Sequence, residues 1–168
     1  SRVAAGRGNM MEGKRVLYKE YKQGRRFLVK ILPGESLVDC IKELVTTEKV
    51  QSAVILSAIG SVKNVHLKDI KSGAKLPITS ARLITHEIEG PLELLGLTGN
   101  IIPGENHEVD CHLHIMASKA SGDVIGGHMF NAEVFATCEI VLVELMLDGV
   151  ERQLSKTGGT PTIFFAGE

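Results

Sequence analysis

Apolar and polar positions alternate in short blocks along most of this chain, and they fall at helical spacing in one stretch. Residues 26–32 (RFLVKIL) alternate loosely and predict a strand. Pro33-Gly34-Glu35 ends it, and Ser36 is placed to cap a helix, with Asp39 at the capping-box spacing. Leu37, Cys40, Ile41, Leu44 and Val45 then line one face of that helix. Residues 53–58 (AVILSA) are continuously apolar, the pattern of a buried strand, and Gly60 is expected to break it before a second strand at 61–67. Further strands are predicted at 81–88, 92–100 and 109–117, with turns at 71–74 and 103–106. A hairpin loop at 118–123 leads into a strand at 124–129, and the β-branched run 133–146 predicts one more strand with a bend.

This tally of strands, one main helix and short connections predicts an α+β fold: a mostly antiparallel β-sheet flanked by the helix. No linker divides the chain, so residues 16–150 are expected to form a single domain. Residues 1–15 are expected to be a disordered N-terminal segment, partly an expression remnant, with Met10 or Met11 as the natural start. Residues 151–168 are expected to be an irregular C-terminal tail.

The segment 109–117 (VDCHLHIMA) carries the most chemistry. Side chains alternate faces along a strand, so Cys111, Leu113 and Ile115 share an apolar, core-facing side. Asp110, His112, His114 and Met116 share the other. Histidines at i and i+2 stand roughly 7 Å apart at the backbone, from which two imidazoles can converge on one ion. With Lys119–Asp123 as the loop, Ser118 pairs with Val124 and His114 lies opposite His128, where cross-strand Cβ atoms are about 5 Å apart. That register places three imidazoles on one patch, and the preceding Gly126-Gly127 lets the backbone adjust their aim. His112, His114 and His128 are therefore the candidate ligands for zinc or another divalent transition metal. A register slipped by one residue would remove His128 from the patch.

Composition narrows the function classes. Net charge is -1, from 19 basic and 20 acidic residues, which gives the chain no general attraction to nucleic acid or anionic membrane. Aromatics are 4% of residues and Trp is absent, which disfavours base-stacking platforms. No apolar run approaches the roughly 20 residues of a membrane-spanning helix. Three widely spaced cysteines, Cys40, Cys111 and Cys138, do not make a disulfide framework and predict a cytoplasmic setting.

The stretch Glu89-Gly90-Pro91-Leu92-Glu93-Leu94-Leu95-Gly96-Leu97-Thr98-Gly99-Asn100, then His112-Leu113-His114, Gly126-Gly127-His128 and Ala136-Thr137-Cys138-Glu139-Ile140, resembles the plants and prokaryotes conserved (PPC) domain. Pro33-Gly34-Glu35 with its helix, and residues 53–62, resemble the same domain, so the likeness runs from about Arg25 to Leu147. It implies a homotrimer of α+β chains and, as in prokaryotic stand-alone members, a zinc site on His112, His114 and His128. In plant members the domain follows a DNA-binding AT-hook in nuclear transcription regulators and uses a Gly-Arg-Phe-Glu-Ile-Leu segment to contact partners. Here that segment is Gly90-Pro91-Leu92-Glu93-Leu94-Leu95, and the nearest approach to a hook is Gly6-Arg7-Gly8-Asn9.

The sequence thus leaves three functions open. One is a trimeric metal-binding module with a regulatory or binding role. Another is a metal-dependent enzyme acting on a small molecule at the ion's fourth position, with Glu93 or Asp110 as candidate acid or base. By strand parity Glu93 shares a face with Leu95 and Leu97, which allows a buried carboxylate of perturbed acidity, but an edge or interface salt bridge is the favoured reading of it. A DNA-binding transcription regulator ranks last on charge.

Overall fold

A computed structural model describes residues 6–168 of the chain. The strands are β1 (Asn9–Met10), β2 (Leu17–Tyr18), β3 (Lys22–Ile31), β4 (Ala53–Ile70), β5 (Leu83–Ile88), β6 (Leu92–Pro103), β7 (Val109–Ser118), β8 (Val124–Met146), β9 (Val150–Leu154) and β10 (Pro161–Phe165). Among the described residues there is one α-helix, α1 (Leu37–Thr47), and a short 3-10 turn at Ser80–Arg82. The architecture is α+β and the strands named above pair antiparallel.

The helix starts where its cap residue stands. Ser36 is extended and its Oγ accepts from the Asp39 amide at 3.3 Å, which satisfies one of the donors that a helix start leaves unpaired. Asn131 of β8 adds a second acceptor, its Oδ1 lying 3.3 Å from the Val38 amide, so the helix start is tied to the sheet. Leu37, Ile41 and Val45 turn inward and join Leu97, Leu113, Ile115, Ile140 and Leu142 in one core. Burying each such side chain contributes about 1.5–3 kcal/mol before entropy is counted. The helix therefore covers one face of the sheet, and most of the opposite face stays open.

Six strands form the main sheet in the order β3-β8-β7-β6-β4-β5, and β8 also pairs with β4. With β8 joined to β4 and β7, and both of those joined to β6, the sheet curls round on itself. Gly60 does not interrupt β4 as expected. The strand runs through it, because a β-bulge absorbs the irregularity and the absent side chain lets Gly60, at φ +148°, lie against the Thr137 carbonyl of β8. Likewise 124–129 and 133–146 are one strand of 23 residues, shifted in register near Asn131.

The ends of the chain also differ from expectation. Residues 150–165 are not an irregular tail: β9 and β10 form a hairpin that lies against the end of β6, and an isolated bridge joins Gly104 to Arg152. In the expected disordered segment 1–15, residues 1–5 lie outside the described residues, while Asn9–Met10 pairs with Leu17–Tyr18. No helix among the described residues is long and apolar enough to cross a membrane.

Candidate metal centre

Strand β7 presents Leu113 and Ile115 to the core and turns His112, His114 and Met116 to the open face of the sheet. The tight connection after Ser118 is closed by Lys119 and Asp123, whose backbones bond at 2.9 Å. β8 then returns in the register set by that loop length, with Ser118 opposite Val124 and His114 opposite His128. The three rings make a nearly equilateral triangle, with centroids 5.1, 5.3 and 5.4 Å apart.

The ring nitrogens converge further than the rings do. His114 Nε2 lies 3.2 Å from His112 Nε2 and 3.3 Å from His128 Nδ1. A single imidazole nitrogen has either one proton or one lone pair, so His114 Nε2 cannot make good hydrogen bonds to both neighbours. A shared cation would resolve the conflict. For tetrahedral zinc with bonds of about 2.0–2.1 Å, ligand nitrogens are separated by roughly 3.3 Å, which matches both contacts. One ligand atom from each histidine falls within 4.8 Å of the others, and the set can hold a metal ion.

Electrostatics favours the neutral imidazoles that ligation requires. Burial, then the charge of Arg152, then the neighbouring His114 and His128, hold His112 below the ordinary imidazole value, with Asp110 opposing. His128 is lowered too, by burial and then by His114 and Lys68, against the pull of Asp69. Cys111 is on the other strand face, and burial pushes its thiol up to about 11, so it stays out of the ligand set. His66, His86 and His107 stand apart from the cluster.

The two carboxylates singled out from the sequence sit differently. Asp110 is on the histidine face but is engaged by Arg152, whose Nε is 3.4 Å from its Oδ2. Glu93 is exposed, so of its two readings the buried carboxylate does not hold. A bulge between Leu94 and Gly96 resets the alternation, so Leu94 and Leu97 both point inward while Glu93 and Leu95 face solvent. Glu93 pairs with Ser118, four residues past His114 and roughly 13 Å along the strand, so it does not join the centre.

Two residues at the centre were not singled out. Asp69 of β4 accepts a hydrogen bond from the His128 amide at 2.8 Å and fixes the backbone of that candidate ligand. It does so across Gly127, whose φ of +157° and missing side chain leave room for the carboxylate. Arg152 of β9 is buried beside Asp110 and donates through Nη2 to Asn100, the ladder partner of His112. Neither carries a local signal, since each reaches the site from a strand distant in sequence.

Fold and site together define a small α+β protein with a three-histidine centre on the open face of an antiparallel sheet. The model of the Plants and Prokaryotes Conserved (PCC) domain family matches residues 18–146, and the chain belongs to that family. Its structure is similar to a metal-containing protein from Archaeoglobus fulgidus, at 30% identity over 86% of this chain and 96% of that chain, with a TM-score of 0.75. It is also similar to a plant- and prokaryote-conserved protein from Pyrococcus horikoshii, at 28% identity over 88% and 92% of the two chains, with a TM-score of 0.72. Among curated proteins it is similar to the bifunctional protein GlmU of a Synechococcus species, at 26% identity over 117 residues. That alignment covers 69% of this chain but 16% of GlmU, so the chain spans less than a fifth of the curated relatives it matches.

Proposed function

We propose that this protein is a homotrimeric zinc-binding module, with the ion held by His112, His114 and His128 and its fourth position open to water or a small-molecule ligand. The convergence of the imidazoles carries this reading: His114 Nε2 stands at tetrahedral ligand spacing from a nitrogen of each neighbour, and one ligand atom from each ring lies within 4.8 Å of the others. The metal-containing relative from Archaeoglobus fulgidus supports it. Three protein ligands with a free position is the arrangement of reactive rather than purely structural zinc, so a metal-dependent enzyme is the second reading.

Trimerisation is supported by the family resemblance and by large apolar side chains left on the surface. Leu28 is 85% exposed and Leu56 and Phe130 70% each, apolar side chains that a second copy of the chain would cover. A cytoplasmic, reducing setting is supported by Cys40, Cys111 and Cys138, which form no disulfide. Elemental analysis of the purified protein tests the metal: about one zinc per chain is expected, and none in His112→Ala. Unchanged metal in that variant sinks the assignment. Light scattering tests assembly, where three times the 18.1 kDa chain mass is expected and a monomer at micromolar concentration contradicts it.

A further inference from the structure

The residues matched to the family end at Met146, and the β9–β10 hairpin follows them. This hairpin reaches back to the strands that carry the histidines. Its ladder runs from Val150 opposite Phe165 to Leu154 opposite Pro161. Val150 and Arg152 are buried, as is Ile102, which belongs to the histidine-facing side of β6 because it pairs with Asp110. The hairpin thus covers one end of an otherwise open face.

Arg152 is the unusual member of that contact. Its side chain is 3% exposed, a rare state for a guanidinium without full pairing. Nη2 donates to Asn100 Oδ1. Nε stands 3.4 Å from Asp110 Oδ2 as an ion pair, without the alignment of a hydrogen bond. Both partners flank one metal ligand. Asn100 is the ladder partner of His112 on β6, and Asp110 is two residues before it on the same face of β7. One buried cation therefore grips the residues on two sides of the His112 ring and is itself anchored by the hairpin and by the bridge to Gly104.

We infer that Arg152 is a positioning residue for the metal ligand His112, and that the C-terminal hairpin is the wall of the metal centre, so that hairpin docking and metal binding stabilise one another. The inference rests on the metal reading above. Residues that hold a ligand in place without touching the ion commonly set affinity within a factor of roughly 10–100. Linkage makes the coupling reciprocal: whatever factor the docked hairpin adds to metal affinity, bound metal adds to the docking equilibrium.

Charge complicates a single substitution, because Arg152→Gln would leave Asp110 free to attract the cation and offset any loss of geometry. The double variant Asp110→Asn/Arg152→Gln removes one charge of each sign and isolates positioning. Zinc affinity, measured in competition with a chromophoric chelator, is expected to fall by roughly 10–100-fold in that variant. In the unaltered protein, saturating zinc is expected to slow hydrogen exchange of amides 150–165 by a comparable factor, with helix α1 on the opposite face as the control. A role confined to stabilising the hairpin would leave both quantities unmoved. Zinc affinity within twofold of the unaltered protein, or hairpin amides that exchange equally fast with and without zinc, overturns the inference. An unaltered protein that binds no zinc overturns the metal reading as well, which separates the two failures.

Discussion

The hydrogen bond from the His128 amide to Asp69 offers a sharp test of how the centre is held. His128 follows Gly127 in a stretch where β8 has left its ladder with β4, whose last pair is Leu67 with Met129. Beyond that pair the Asp69 carboxylate takes the place of a ladder partner. A hydrogen bond to a charged acceptor contributes about 1.5–3 kcal/mol, and the half-buried setting of Asp69 places this one at the lower end. If the loss is expressed at the site, about 1.5 kcal/mol is roughly a tenfold change in affinity. Asp69→Ala is therefore expected to weaken zinc binding roughly tenfold. Asp69→Asn keeps an acceptor oxygen and is expected to lose less. Chelator competition gives both affinities, and circular dichroism of the metal-free variants checks that the fold is kept. A folded Asp69→Ala protein that binds zinc as tightly as the unaltered chain would refute the reasoning, since His128 would then be held by something else.

Three further outcomes follow from the same structure. His112 and His128 lie below the ordinary imidazole value, so the unfolded chain binds more protons near pH 6 than the folded one. Metal-free protein should accordingly lose stability as pH falls from about 7 through the imidazole range, and urea midpoints should show a smaller loss in a His112→Gln/His128→Gln variant; equal pH dependence in the two proteins would contradict this. Leu113, 1% exposed between the two β7 ligands, should cost about 2–5 kcal/mol when changed to Ala, read by chemical denaturation, and a loss under 1 kcal/mol would show that the core closes over the gap. Duplex DNA, A·T-rich sequences included, should bind no tighter than about 10 μM at physiological salt by fluorescence anisotropy; nanomolar, sequence-dependent binding would restore the regulator reading.

The sequence makes the local half of the centre legible and hides the distant half. Strand parity places His112 and His114 together, and the loop length after Ser118 places His114 opposite His128, as the structure does. Both rules act over a few residues. They fail where tertiary contacts intrude. The bulge between Leu94 and Gly96 turns Glu93 outward, and no residue at that point announces it. Gly60 looks like a break because its neighbours are compatible with two short strands, whereas its role is close approach to a partner 77 positions away. Arg152 and Asp69 arrive from β9 and β4, and a charged residue in a polar segment gives no hint that it will be buried. The helix was legible because its cap, stripe and end all lie within one window.

The placement of all three histidines on one hairpin also bears on the order of folding. From His112 to His128 the chain counts 17 residues, and closing a loop of that size costs little entropy. Most of the sheet asks for much longer closures: Lys22 must find Met146, Ile31 must find Cys138 and Val62 must find Val134. Such non-local pairings make a fold slow to form. The β7–β8 hairpin can bring its three imidazoles together before β3 and β4 are in place, so a metal ion present during synthesis would meet its ligands early. The same ion would hold the register of the hairpin from which the later strands take their alignment.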